Sequence, residues 1–213
     1  MPTPATQPDA ARAAPPARAR SILWRRIHRA SGLVLAAYLL PHLVNHVLAV
    51  GSVARHLAFM HALRAVVRIP AVEALLLACV ACQVASGIRL LRRRPWRRAQ
   101  AWSGACLAFF LLVHVGAVLG ARWRLGLDTN FYFAAAGLQT APWFLFFVPY
   151  YAAALVALTV HLACALRLRG TAFRAAVAGG AVLAITIVAT FAGALYPVTI
   201  PPAYLSALRF AAP

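Results

Sequence analysis

The sequence has no lysine and only three acidic residues, Asp9, Glu73 and Asp128. All 21 of its basic residues are arginine, so the formal net charge is +18. The missing lysine carries no functional reading. Four cysteines occur, Cys79, Cys82, Cys106 and Cys164, all in apolar stretches, which excludes a secreted disulfide framework. The first twenty residues have no apolar run and no sorting site, so no cleavable signal peptide is expected. There is no Gly-rich nucleotide-binding fingerprint and no cysteine cluster with iron–sulfur spacing. No internal repeat is present, and no alternating β pattern competes with the helical one.

Apolar residues are abundant. They make up 63% of the 213 residues, and the mean hydropathy is +0.78, more apolar surface than a soluble domain of this size can hide. A membrane-crossing helix needs ~20 apolar residues to span ~30 Å of hydrocarbon. Five segments qualify, at about 27–50, 70–91, 101–121, 142–168 and 175–196. The expected fold is therefore all-α: an integral membrane bundle of five transmembrane helices. Residues 1–24 read as a disordered Ala/Pro/Arg-rich cytoplasmic tail, 25–197 as the transmembrane domain and 198–213 as a short outer tail.

The arginines supply the orientation. Arg12, Arg18, Arg20, Arg25, Arg26 and Arg29 precede or open the first span. Arg89, Arg92, Arg93, Arg94, Arg97 and Arg98 join the second to the third, and Arg167, Arg169 and Arg174 join the fourth to the fifth. Fifteen arginines thus share one side, against six on the other: Arg55, Arg64, Arg68, Arg122, Arg124 and Arg209. This asymmetry predicts a cytoplasmic N-terminus and an outer C-terminus. A basic balance can also mean nucleic acid, but here orientation and attraction to anionic membrane lipid account for it, and no nucleic-acid partner is expected. Trp102, Trp123 and Trp143 fall near expected interfaces, and Phe131–Leu138 is expected to form a short interfacial helix in an outer loop.

Ionisable groups in hydrocarbon are costly, so the histidines matter. His42 lies eight residues before the outer end of the first span, about 12 Å deep, and His114 seven before that of the third, about 10 Å deep. Two imidazoles at one depth on different helices can clamp a heme iron from both faces, although a membrane histidine can equally serve as an interhelical hydrogen-bonding group. His161 lies in the inner half of the fourth span, opposite Gln83, which is not a usual heme ligand. His46, one turn beyond His42, is the reserve ligand, and His28 sits at the edge of the first span. His56 and His61 read as surface or interface residues of an outer loop. Cys79-Val-Ala-Cys82 reads as small core residues in an Ala-rich helix. Glu73, the one acid in any span, reads either as an interfacial carboxylate at a helix N-terminus or as a proton acceptor beside a quinol.

Arg25-Arg26-Ile27-His28-Arg29-Ala30-Ser31-Gly32 followed by Tyr38-Leu39-Leu40-Pro41-His42-Leu43 resembles the opening helix of the cytochrome b membrane subunit of succinate dehydrogenases and fumarate reductases. The resemblance runs from about Arg25 to Arg169. It implies a five-helix anchor with hemes b, the outer heme held from helices 1 and 3, matching His42 and His114, and the inner from helices 2 and 4. His161 matches the helix 4 ligand, but Gln83 stands where the family has its helix 2 histidine. One heme b per chain is therefore expected, with His161 left as a hydrogen-bonding residue, to Gln83 among others, unless His28 rescues the inner site. The resemblance further implies quinone as diffusible partner, with Arg29 and Ser31 binding quinone or a heme propionate. It also implies a flavoprotein/iron–sulfur dehydrogenase on the cytoplasmic side of a bacterial cytoplasmic (inner) membrane. The chain would be a non-catalytic electron-transfer subunit. A heme-free structural anchor and a small proton-coupled transporter remain open alternatives.

Overall fold

The computed structural model describes residues 17–92 and 98–209. Among them are eight helices and no strand: α1 (Ala17–Leu48), α2 (Val53–Val67), α3 (Pro70–Leu91), α4 (Arg98–Arg124), α5 (Phe131–Gln139), α6 (Phe144–Ala165), α7 (Gly170–Phe191) and α8 (Pro202–Arg209). Five are long and apolar enough to cross a membrane: Ser21–Leu48 of α1, α3, Ala99–Arg124 of α4, α6 and α7. The chain is a multi-pass membrane bundle.

The helix ends differ from the sequence reading for identifiable reasons. α1 starts at Ala17, so residues 17–24 are helical rather than tail; the rest of the expected tail, 1–16, lies outside the described residues. α6 stops at Ala165 because Arg167 adopts φ 59°, with Arg167 N donating to Cys164 O and Leu168 N to Ala163 O. α7 stops at Phe191 in the same double-bonded cap, closed by Gly193 at φ 77°. This arrangement satisfies carbonyls a helix otherwise leaves bare, and glycine takes the left-handed position without steric cost. α3 opens on Pro70, whose missing N–H costs nothing at the first helical position.

α2, α5 and α8 lie over one end of the bundle, the capped end. α2 begins at Ser52, whose side chain accepts from Arg55 N, and α5 at Asn130, whose side chain accepts from Tyr132 N. The expected Phe131–Leu138 helix is therefore present, but it is more buried than an interfacial helix, with Phe131 and Ala135 fully covered. The main buried apolar cluster sits here, joining Ala49, Phe131, Ala135, Leu138, Ile187, Val188 and Phe191. Arg64 bonds Asp128 at 2.6 Å, and Arg122 bonds Glu73, tying α2 and α4 to their neighbours at this end. Leu33, Leu40, Leu112, Leu145 and Ile185 are exposed on the flanks of the spans, as lipid-facing leucines and isoleucines should be. The opposite, Arg-rich end carries the cation–π contact of Arg89 on Trp24, 4.2 Å from the ring centre.

The bundle is split into two layers. α1 packs along α3; α4 packs along α6, and α6 along α7. No Cα of α1 comes within 8 Å of a Cα of α4 or α6 among the described residues, nor any Cα of α3 within 8 Å of α6. α3 and α4 do meet, so a slot runs between α1 and the α4–α6 pair.

Candidate functional site

The histidines bridge this slot. His42 on α1 faces His114 on α4, with ring centroids 6.2 Å apart and planes at 70°. His28 on α1 faces His161 on α6, with centroids 6.3 Å apart and planes at 67°. These imidazoles come from helices with no Cα pair within 8 Å. A coordinating imidazole nitrogen sits about 2 Å from its metal and about 1.1 Å from its own ring centre, so two ligands on opposite faces of one metal place their centroids about 6.3 Å apart. Both pairs have the centroid spacing that the two ligands of one heme require. The residues present fit the group.

The sequence reading paired His42 with His114, and the structure brings them together. It does not pair His161 with Gln83. The Gln83 amide Nε2 donates to the His28 carbonyl at 2.7 Å, clamping α3 to α1, and Gly32 leaves the room it occupies, since a Cβ there would lie 2.7 Å from that nitrogen. His161 instead has Nδ1 3.4 Å from Ser103 Oγ on α4, and its ring lies over Gly104, where a Cβ would come within 3.2 Å. His28, read as an edge residue, lies seven residues inside the Ser21–Leu48 span, about 10 Å from its end, because α1 starts earlier than the hydropathy suggested.

His42 Nδ1 lies 3.4 Å from Tyr38 OH and its Nε2 lies 3.1 Å from His46 Nε2. His114 stacks on Phe110, centroids 5.0 Å apart. His46 in turn stacks on His56 at 5.7 Å, and Asn45 Nδ2 lies 3.1 Å from His56 Nε2. His56 is 2% exposed, so the expectation of a surface residue fails; α2 folds back over the bundle and buries it against Phe131 and Phe191. Burial, with Arg64 adding to it, pushes the His56 imidazole down to about 4. Asn45 Oδ1, His46 Nδ1 and His56 Nδ1 are buried without a hydrogen-bond partner. Asn45 and His56 were thus missed by sequence reasoning. The available signal was spacing: Asn45 and His46 follow His42 by three and four residues, one face of one helix.

The remaining candidates separate. Ser31 is 6% exposed and donates to Ile27 O at 2.8 Å, whereas Arg29 is exposed on α1 two residues away. Glu73 is held by both terminal nitrogens of Arg122, which favours the role of an ion-paired helix-end carboxylate. All four cysteines are free, and Cys79 is buried while Cys82 is exposed. Comparison of the chain with family models, curated proteins and solved structures finds no match.

Proposed function

We propose that this chain is a membrane-anchor electron-transfer subunit carrying heme b between His42 and His114 and exchanging electrons with quinone. The observation that carries the reading is the 6.2 Å meeting of these two rings between α1 and α4, helices with no Cα pair within 8 Å. Heme iron, when bound, supplies one-electron transfer between its ferric and ferrous states. The chain's part is to hold and shield it. His42 and His114 would hold the iron from both sides and leave no position for oxygen. Tyr38 OH sits beside Nδ1 of the His42 ring, so Nε2, which lies 3.1 Å from His46 Nε2, would be the nitrogen offered to the iron. Phe110 fixes the His114 ring by stacking.

In the same reading the N-terminus is cytoplasmic, the membrane is the bacterial cytoplasmic membrane, and a flavoprotein/iron–sulfur dehydrogenase on the cytoplasmic side delivers electrons. The arginine asymmetry and the resemblance of the Arg25–Leu43 stretch support this. Purified protein is expected to show a Soret band and a low-spin, six-coordinate heme b spectrum. His42→Ala and His114→Ala should each abolish that spectrum or convert it to a five-coordinate form. An unchanged spectrum in both variants overturns the ligand assignment.

One observation favours a second reading, a proton-coupled transporter or a heme-free anchor that kept its polar interior. His42, His46, His56 and Asn45 form a continuous chain of imidazole and amide contacts toward the capped end, as a proton path would. A colourless purified protein that moves a solute with protons decides for it.

A further inference from the structure

We infer that the chain holds a second heme, between His28 on α1 and His161 on α6, a ligand pair that bypasses Gln83 altogether. The inference rests on the proposal that the slot takes heme but makes a separate claim about its number and ligands. Three observations carry it.

The first is spacing. The His28 and His161 centroids are 6.3 Å apart, within 0.1 Å of the value for His42 and His114, and their planes cross at nearly the same angle. The second is placement. His28 and His42 are fourteen residues apart on α1, four turns less about 40° of rotation, so they look into the slot from one helix face about 21 Å apart. His28 lies seven residues from one end of the Ser21–Leu48 span and His42 six from the other.

The third is the anchoring of both rings. The Ser86 hydroxyl, which donates to Cys82 O, lies 2.9 Å from His28 Nδ1. The Ser103 hydroxyl, which donates to Gln100 O at 3.2 Å, lies 3.4 Å from His161 Nδ1. Each ring thus has a polar partner at Nδ1, the arrangement in which a histidine can offer Nε2 to a metal. Ser86 and Ser103 are both buried. Gly104 leaves the His161 ring the space it fills against α4.

Two hemes stacked along α1 would extend the electron path over most of the ~30 Å hydrocarbon thickness, rather than confining it to one level. His28 and His161 would hold one heme toward the Arg-rich end and His42 and His114 the other toward the capped end, and the hemes would supply one-electron transfer between those ends. Two such electrons, with two protons, reduce one quinone to quinol.

The test is heme counting on the full chain purified from membranes. Pyridine hemochrome against protein concentration should give two hemes b per wild-type chain, and redox titration should resolve two midpoints. His28→Ala and His161→Ala should each lower the ratio to one, the retained spectrum showing that the bundle is folded. His161→Met keeps a ligand and is expected to hold two hemes with one midpoint raised. A wild-type ratio of one that is lost in His42→Ala but kept in His28→Ala and His161→Ala overturns this inference and leaves the proposed function standing. A wild-type ratio of zero overturns both.

Discussion

At position 83 the glutamine amide donates across 2.7 Å to the His28 carbonyl, and the same contact explains why this residue clamps helices rather than binding metal. That Gln83 breaks the ligand pattern of the resembling family was legible from one letter of sequence. That His161 faces His28 was not, because depth had to be counted from a span read as starting at Ile27, whereas the span starts at Ser21 and α1 at Ala17. An Arg-rich stretch hides such a start: hydropathy drops while the helix continues, since long arginine side chains reach back to the interface. His56 was misjudged for the complementary reason, as a loop position gives no hint that the loop is a helix folded over the core. Its burial has a consequence for acid stability. The imidazole is neutral in the folded chain down to about 4 but takes a proton at 6.5 when exposed. Its contribution to stability is therefore complete above pH 6.5 and is lost as pH falls from 6.5 to about 4. His46 on α1 stacks on the same ring, and Arg64 on α2 makes a positive charge there costlier. Thermal unfolding in detergent should show a midpoint that drops through this range. In His56→Gln, which keeps a polar group beside Asn45, the drop should be smaller; an equal drop in both proteins counts against the assignment.

Helices pair in this bundle through small residues as much as through large ones. The closest case is Gly180 on α7, where an added Cβ would lie 2.3 Å from both Oγ1 and Cγ2 of Thr159 on α6 and 2.7 Å from its Cβ. No rotamer of Thr159 removes a clash with its own Cβ, so the helices themselves must separate. Gly180→Ala should cost about 1–3 kcal/mol of overpacking. Thr159→Gly in the same chain should recover part of it, although each change alone destabilises. Detergent unfolding of the two single variants and the double gives the coupling, and strictly additive losses would show that the contact is not tight. Of the elements themselves, the five spans were legible because each is long and continuously apolar. α2 was not, since Arg55, His56, His61 and Arg64 mask its apolar stripe of Val53, Leu57 and Met60. The far ends of α6 and α7 were overrun because left-handed caps at Arg167 and Gly193 stop helices that hydropathy alone would extend.

Across the whole molecule, the two layers, the capping helices and the slot came from packing that no hydropathy profile contains, whereas the direction in which the bundle crosses the membrane rests on charge alone. By sequence, fifteen arginines belong to the N-terminal stretch and the α3–α4 and α6–α7 connections, and six to the stretches around α2, α5 and α8. Part of the smaller set is neutralised locally: Arg64 and Arg68 lie 2.6 and 3.7 Å from Asp128, and Arg122 pairs with Glu73. Acids count for little in orientation, but arginines on short loops near span ends resist translocation strongly, and here they alternate consistently through all five spans. Reporter fusions at Arg94 and Thr171 should therefore report cytoplasm, and fusions at Asp128 and after Pro213 should report the outer side. The architecture makes the outcome internally redundant, because five crossings force the two ends of the bundle to opposite faces. An inverted but consistent set of reporters would reverse the orientation and move the expected dehydrogenase partner to the capped end. A cytoplasmic signal from both Thr171 and the C-terminus would remove α7 as a span, and with it the five-helix count.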